Sequence, residues 1–190
     1  MTLTAKKIIL ASKSPRRKEL LENAGYTVRL FIKEVTEDYP ASLELDMVAE
    51  YLSIKKANEC KEAIESGSIL LAADSVVILD NIIYGKPKDE EDAINILQKL
   101  SGKTHKVITG VCLKSETKQI SFSSLSLVTM DILTTEEIKY YIDNYKPYDK
   151  AGAYGVQEWI GLCKISNIEG SYVNIMGLPV DLVYKKLQEF

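Results

Sequence analysis

The chain has 190 residues, 46% of them hydrophobic, which is enough for one domain with a sizeable core. Its 24 basic and 27 acidic side chains leave a net charge of −3, so no overall positive field exists to hold a nucleic acid or an anionic membrane surface. Three scattered cysteines argue against a disulfide framework and a clustered zinc site, and no apolar run approaches a membrane span. We therefore expect a single cytoplasmic domain over residues 1–190, with no nucleic-acid or membrane partner.

The first predicted strand and helix enclose a candidate anion site. An apolar strand over 8–11 runs into a polar segment, and Pro15 suits the first turn of a helix that stops at Gly25. The unpaired N–H groups and the dipole of a helix start favour negative charge, and serine hydroxyls and arginine guanidiniums can bind phosphate there. The alternative is a Ser-capped surface helix whose basic residues are solvated. The candidate phosphate ligands of this segment are Ser12, Ser14, Arg16 and Arg17.

The rest of the chain alternates predicted strands and helices. Hydrophobic periodicity and turn residues predict strands over 8–11, 26–32, 69–79, 104–113, 120–132 and 162–168, and helices over 15–24, 42–64, 89–100, 134–145 and 177–190. Asp80-Asn81 predicts a turn between two strands, and Thr134 with Glu137 predicts a capping box. This order indicates an α/β fold on a mixed twisted sheet flanked by helices, with ligands bound in a central cleft at the strand ends.

Asp74 is the residue that points most strongly to chemistry. It interrupts the apolar strand over 69–79, where a buried carboxylate is costly unless it is paired or binds a metal. The alternative is an aspartate at a bulge or strand end that is hydrogen-bonded to the backbone. Together with Glu37 of an acidic loop, Asp74 could hold a hard divalent cation, which needs one or two carboxylates plus phosphate oxygens. Alone, Glu37 is a solvated loop residue.

Three more side chains are candidate ligands of a molecule that carries both phosphates and a base. Lys56 on a predicted helix and Lys86 in a Gly-Lys-Pro loop could clamp phosphates, although most lysines are simply solvated. Gln157 follows a run of small residues and offers both a donor and an acceptor, which suits the edge of a base. We expect His105, the only histidine, to be structural, and Trp159 to be a packing residue.

These motifs, taken in order, resemble the Maf family, also called septum formation inhibitor proteins. The resemblance implies an α/β fold similar to that of inosine triphosphate pyrophosphatases, with substrate bound in a cleft between two lobes. It also implies hydrolysis of particular nucleoside triphosphates to the monophosphate and pyrophosphate with a divalent metal, Mg²⁺ or Mn²⁺, and suggests a homodimer. The segments that carry it are 12–17 with 19–21, 73–77, 85–87, 100–105, 149–157 and 177–179.

The resemblance also assigns roles by position. Asp74 matches the catalytic acidic residue of the family, described as a proton acceptor. The motifs around Arg16 and Gln157 resemble those of the branch that acts on dTTP and UTP. The positions linked to base specificity are Arg16, Ser75 and Gln157, and the other polar positions of the family pocket are Ser12, Arg17, Glu37, Lys56 and Lys86.

Two positions depart from that branch. Ser75 stands where threonine is usual, so the hydroxyl is kept while base preference is expected to loosen. Glu158-Trp159 replaces what is often a small residue after the glutamine, and the indole either narrows the base pocket or packs on its outside.

The expected reaction is attack of water on the α-phosphorus, with Asp74 as general base or as metal ligand. The alternative function is a non-catalytic regulator of cell division that senses a nucleotide in the same pocket. A sensor has little need of two carboxylates, so the presence of both Glu37 and Asp74 favours the enzyme.

Overall fold

A computed structural model describes residues 6–190, which form a seven-stranded mixed sheet flanked by helices. The strands are β1 (Lys7–Ala11), β2 (Thr27–Leu30), β3 (Ser68–Leu79), β4 (Ile82–Tyr84), β5 (Thr104–Lys114), β6 (Gln119–Met130) and β7 (Ile165–Glu169). Their order in the sheet is β2-β1-β3-β5-β6-β7, and β4 pairs with β3. The helices are α1 (Pro15–Asn23), α2 (Val48–Glu59), α3 (Glu90–Leu100), α4 (Thr135–Tyr145), α5 (Trp159–Cys163), α6 (Tyr172–Met176) and α7 (Val180–Leu187).

The chain divides into two compact units, and the division in β3 falls between Asp74 and Ser75. The described parts of the first unit are residues 6–74, 109–124 and 177–190. Here β1 pairs in parallel with both β2 and the first half of β3. Strands paired in parallel inside a sheet are buried on both faces, which explains why β1 and β3 are apolar without alternation. Buried residues of this unit that pack together are Ile9, Ala11, Ala57, Cys60, Ala63, Leu70, Ala72 and Cys112.

Gly110 sets the approach of α2 to β5. A Cβ atom at this position would lie 2.2 Å from the backbone carbonyl carbon of Ala49, so only glycine lets the helix pack this closely. The helix that carries Lys56 is therefore held directly against the sheet.

The second unit comprises Ser75–Ile108 and Leu125–Met176. Asp80 and Asn81 link β3 to the antiparallel β4 with φ angles of 52° and 60°, as a type I′ turn requires, which confirms the predicted turn. The Thr134–Glu137 capping box at the start of α4 is likewise confirmed. A hydrophobic core of this unit lies among α3, α4, the second halves of β3 and β6 and the first half of β5.

The strand expected over 69–79 is confirmed, since β3 continues through Asp74 and Ser75. Two other expectations were wrong. The helix over 42–64 is shorter, since α2 spans only Val48–Glu59 between two 3₁₀ turns. Leu162 lies in α5 rather than in a strand, because a short apolar run does not distinguish a buried strand from a helix.

Cys60, Cys112 and Cys163 are all free thiols. Among residues 6–190, no helix has both the length and the apolar composition needed to cross a membrane.

Candidate active site

Arg17 organises the loop between β1 and α1. Its Nε atom donates to the Gly177 carbonyl at 2.7 Å, and its Nη1 atom donates to the Ala73 carbonyl at 2.7 Å and to Ser12 Oγ at 3.2 Å. The Ser14 N–H also donates to Ser12 Oγ, at 3.2 Å. Ser14 is the N-cap of α1, yet its side chain makes no capping bond. The alternative of a Ser-capped helix with solvated arginines is therefore wrong for Arg17.

Asp74 is buried inside β3, where 7% of its surface is exposed. Its Oδ1 atom accepts a hydrogen bond from Lys56 Nζ, and the same ammonium lies 2.8 Å from Glu37 Oε1. The ammonium compensates the buried carboxylate, which is the condition for keeping such a charge inside a protein. Because Asp74 lies in the interior of β3, the alternative of an aspartate at a strand end is wrong.

The electrostatics of Arg17 show that the charged groups of the first unit lie close together. Burial lowers the pKa of Arg17, and the neighbouring Arg16 charge lowers it further. The carboxylates of Asp74 and Glu37 act in the opposite direction and raise this pKa. The first unit thus brings together five of the charged candidate site residues, Arg16, Arg17, Glu37, Lys56 and Asp74.

The two carboxylates suit a hard divalent cation. Glu37 and Asp74 converge on one positive group, the Lys56 ammonium, so a cation is already favoured at this point. Within residues 6–190, no group of three or more His, Cys, Asp or Glu side chains is arranged to hold a metal by itself. Mg²⁺ commonly binds through only one or two carboxylates and completes its shell with substrate phosphates and water. The donor set therefore fits a metal that arrives with a polyphosphate.

The second unit contains the other predicted site residues. Ser75 directly follows Asp74 in β3, so its side chain is on the opposite face of the strand. Lys86 is exposed in the loop after β4. The Gly85 carbonyl accepts a hydrogen bond from the Gly152 N–H at 3.0 Å, which ties this loop to the segment that leads to Gln157. Gln157 is half-buried, and in the described chain its Oε1 atom has no hydrogen-bond partner.

A polar network beside Gln157 was missed by the sequence analysis. The Tyr141 hydroxyl on α4 donates to Glu158 Oε2 and accepts from the Gly155 N–H at 2.9 Å. Lys150 Nζ lies 3.1 Å from Glu158 Oε1 and 2.8 Å from Asp149 Oδ1. The only signal in the sequence was the presence of opposite charges at both ends of a loop of small residues.

His105 and Trp159 are packing residues in this structure. His105 Nε2 lies 2.7 Å from the Tyr154 hydroxyl, and burial lowers the pKa of the imidazole to about 4. The indole of Trp159 packs edge-to-face on Tyr140, with ring centroids 5.4 Å apart, and contacts the core of the second unit. Both side chains confirm the expected structural roles.

Comparison with known proteins identifies the family. A family model described as Maf-like protein matches residues 7–190. The chain belongs to the Maf family. A Maf relative from Porphyromonas gingivalis, named dTTP/UTP pyrophosphatase, is 49% identical over 189 residues and covers 97% of this chain and 94% of its own. A second dTTP/UTP pyrophosphatase, from Bacteroides thetaiotaomicron, is 49% identical over 184 residues and covers 96% of this chain and 95% of its own.

The Maf chain also shares its fold with a solved structure of low sequence identity. The Ham1 protein of Staphylococcus aureus matches with a TM-score of 0.57 and 16% identity, covering 97% of this chain and 99% of that chain. At this identity the likeness concerns the fold alone, and it confirms the predicted α/β fold class.

Proposed function

We propose that this Maf protein hydrolyses dTTP and UTP to the nucleoside monophosphate and pyrophosphate. The observation that carries the proposal is the buried Asp74 carboxylate, held by Lys56 beside Arg16 and Arg17. Relatives 43–49% identical over almost their whole length are named dTTP/UTP pyrophosphatase, which supports the choice of substrate.

The cationic side chains bind the triphosphate. Arg16, Arg17 and Lys56 supply positive charge next to a helix start, where backbone N–H groups also favour an anion. Charge that develops on the phosphates in the transition state is stabilised by these groups because they are already oriented before the reaction.

Asp74 acts on the water nucleophile. The carboxylate accepts a proton as the water oxygen forms a bond to the α-phosphorus, and the bond from this phosphorus to the bridging oxygen breaks. Pyrophosphate leaves with the electrons of the broken bond, and the proton is then released from Asp74 to solvent. A buried carboxylate is suited to this role because its position and orientation are fixed by the strand and by Lys56.

We propose that Glu37 and Asp74 hold Mg²⁺ or Mn²⁺ when nucleotide binds. Such an ion neutralises phosphate charge and lowers the pKa of bound water. The proposal is supported by the convergence of both carboxylates on the Lys56 ammonium, which shows where positive charge is favoured. Phosphate oxygens of the substrate then attract Lys56, so the ammonium has an alternative partner.

Gln157 is the proposed base-recognition residue. Uracil and thymine share an N–H donor flanked by two carbonyl acceptors, and a carboxamide offers one acceptor and one donor to this edge. Gln157 Oε1 is buried without a hydrogen-bond donor in the described chain, an unfavourable arrangement that a base N–H would relieve. Cytosine presents the opposite pattern of donor and acceptor at these positions.

The proposal is tested by measuring monophosphate and pyrophosphate from a panel of triphosphates. With Mg²⁺ or Mn²⁺, we expect equimolar products from dTTP and UTP and much slower turnover of dCTP, CTP, dATP and methylguanosine triphosphate. Binding of dTTP without turnover of any member of the panel would contradict the proposal and favour a nucleotide-sensing regulator.

A further inference from the structure

The loop that carries Gln157 is fixed by a buried network whose members do not belong to the predicted site. Lys150 is 8% exposed, although a lysine is rarely buried without a partner. Its Nζ atom is shared between the carboxylates of Asp149 and Glu158, at 2.8 Å and 3.1 Å. The Lys150 ammonium and the Glu158 carboxylate are therefore held together on the buried side of this loop, while Asp149 is more exposed.

Tyr141 joins this pair to the backbone next to Gln157. Its hydroxyl accepts a hydrogen bond from the Gly155 N–H at 2.9 Å and donates to Glu158 Oε2. The Glu158 N–H also donates to the Gly155 carbonyl, at 3.0 Å. The Gly155 backbone, two residues before Gln157, is thus bonded to Tyr141, and the Glu158 backbone, one residue after it, is bonded to Gly155.

The packing around Gly155 leaves little space for another arrangement. A Cβ atom on Gly155 would lie 2.9 Å from Glu158 Cδ and 3.1 Å from Lys150 Cε. Burial, reinforced by the Glu158 carboxylate, raises the pKa of Tyr141, so its hydroxyl keeps its proton and remains the donor. Tyr141 also stacks on Tyr145, with ring centroids 5.0 Å apart, which fixes the ring on α4.

We infer that Tyr141, Glu158 and Lys150 are positioning residues that set the base preference of the enzyme by fixing Gln157. The inference rests on the proposed function and deepens it. A free carboxamide can rotate by half a turn and present the pattern that suits cytosine. The network holds the backbone at Gly155 and Glu158, on either side of Gln157, so it fixes where the carboxamide meets the base and limits the orientations in which it can do so.

The network also accounts for the Glu158 side chain. Its carboxylate does not point to a role in chemistry, because both of its oxygens are already bound, by Tyr141 and Lys150. The contribution we assign to Glu158 is the orientation of the preceding residue.

Tyr141→Phe tests the inference, and Tyr145→Phe is the matched control. Both variants remove one hydroxyl from the same face of α4, but only Tyr141 contacts Glu158 and Gly155. For Tyr141→Phe we expect KM for dTTP to rise about fivefold to tenfold, the cost of weakening one hydrogen bond to the base. We expect kcat to stay within about twofold and the preference for dTTP over dCTP in kcat/KM to fall by the same factor as KM rises. Tyr145→Phe should leave KM and the preference unchanged.

A purely structural role gives a different result. Loss of folded protein lowers kcat equally for every nucleotide and leaves KM and the preference intact. That outcome, or a preference equal to that of Tyr145→Phe, would overturn the inference. If wild-type protein does not hydrolyse dTTP, the proposed function fails instead, so the two failures are distinguishable.

Two further variants keep the test decisive if Tyr141→Phe folds poorly. Glu158→Gln keeps an acceptor for Tyr141 but removes the charge that binds Lys150, so it should reduce the dTTP preference in the same direction and by less. In a Gln157→Ala background, Glu158→Gln should have no further effect on preference, because positioning acts only through Gln157. Additive effects of the two substitutions would contradict the inference.

Discussion

The Nη1 atom of Arg17 donates to the carbonyl of Ala73 at 2.7 Å, directly before Asp74 in β3. The guanidinium also binds the Gly177 carbonyl, so one side chain links α1, β3 and the start of the C-terminal segment within the first unit. A lysine cannot reproduce two divergent donors of this kind. The position of the Asp74 backbone therefore depends on an arginine at position 17.

We predict that Arg17→Lys lowers both stability and turnover. One buried carbonyl loses its donor, which costs about 1–3 kcal/mol of unfolding free energy. Urea denaturation measures this cost, and pyrophosphate release measures the effect on turnover. Arg29→Lys is the control, because Arg29 binds the single carbonyl of Ala63 at a more exposed position. Equal stability of the two variants would refute the assigned role of Arg17.

Lys56→Met is predicted to destabilise the protein far more than Glu37→Gln. Removal of Lys56 leaves the buried Asp74 carboxylate without its ammonium, which costs on the order of 3 kcal/mol. The Glu37 side chain is 49% exposed, so loss of its charge costs less than about 1 kcal/mol. Denaturant unfolding of both variants at neutral pH makes the comparison. Similar losses of unfolding free energy would contradict the greater weight assigned to the Lys56–Asp74 ion pair.

Gln157→Ala is predicted to reduce base discrimination more than catalysis. The variant loses the hydrogen bonds to the base, so the preference for dTTP over dCTP should fall about tenfold or more. Asp74 lies in the other unit and is unchanged, so kcat at saturating dTTP should stay near the wild-type value. Steady-state kinetics with both nucleotides checks this, and an unaltered preference would remove Gln157 from base recognition.

His105 is predicted to make stability depend on pH between about 4 and 6.5. Burial lowers its pKa from 6.5 in the unfolded chain to about 4 in the folded protein. In this window the unfolded state binds the extra proton, so stability is fully present above pH 6.5 and falls as pH decreases. The total contribution is about 3 kcal/mol.

Urea unfolding between pH 4.5 and 7 measures this effect against His105→Gln, which keeps a polar partner for Tyr154 but cannot titrate. The wild-type protein should lose stability relative to the variant as pH falls. Asp38, whose pKa is lowered to about 2 mainly by hydrogen bonding to Lys55, affects stability mostly at lower pH. A constant difference between wild type and variant over this range would contradict the account of His105.

Features with strong local signals were predictable from the sequence. The Asp80-Asn81 turn and the Thr134–Glu137 capping box depend on residues within a few positions of each other. Asp74 was recognisable because a carboxylate inside an apolar strand has few inexpensive explanations.

Features that depend on contacts between distant positions were not predictable. Nothing local indicates that Arg17 binds the carbonyl of Gly177, 160 positions further along the chain. The ion pair of Lys150 with Glu158 forms across a loop whose backbone path, including φ of 72° at Gly152, is set by tertiary packing on Val77. The strand predicted over 162–168 began too early, in the end of α5, because a short apolar-rich run carries no clear period, and its remainder corresponds to β7.

The most direct test of the account is the hydrolysis of dTTP by wild-type protein and by Asp74→Asn, with dTTP affinity measured on the same samples. The carboxamide keeps the size of the side chain but cannot accept the proton, so the rate should fall by about 10²–10⁴-fold. Affinity for dTTP should change only a few-fold, since Arg16 and Arg17 are retained. Equimolar dTMP and pyrophosphate from wild type, together with an almost inactive variant that still binds dTTP, is the predicted result. Turnover by Asp74→Asn at the wild-type rate would contradict the central role assigned to Asp74.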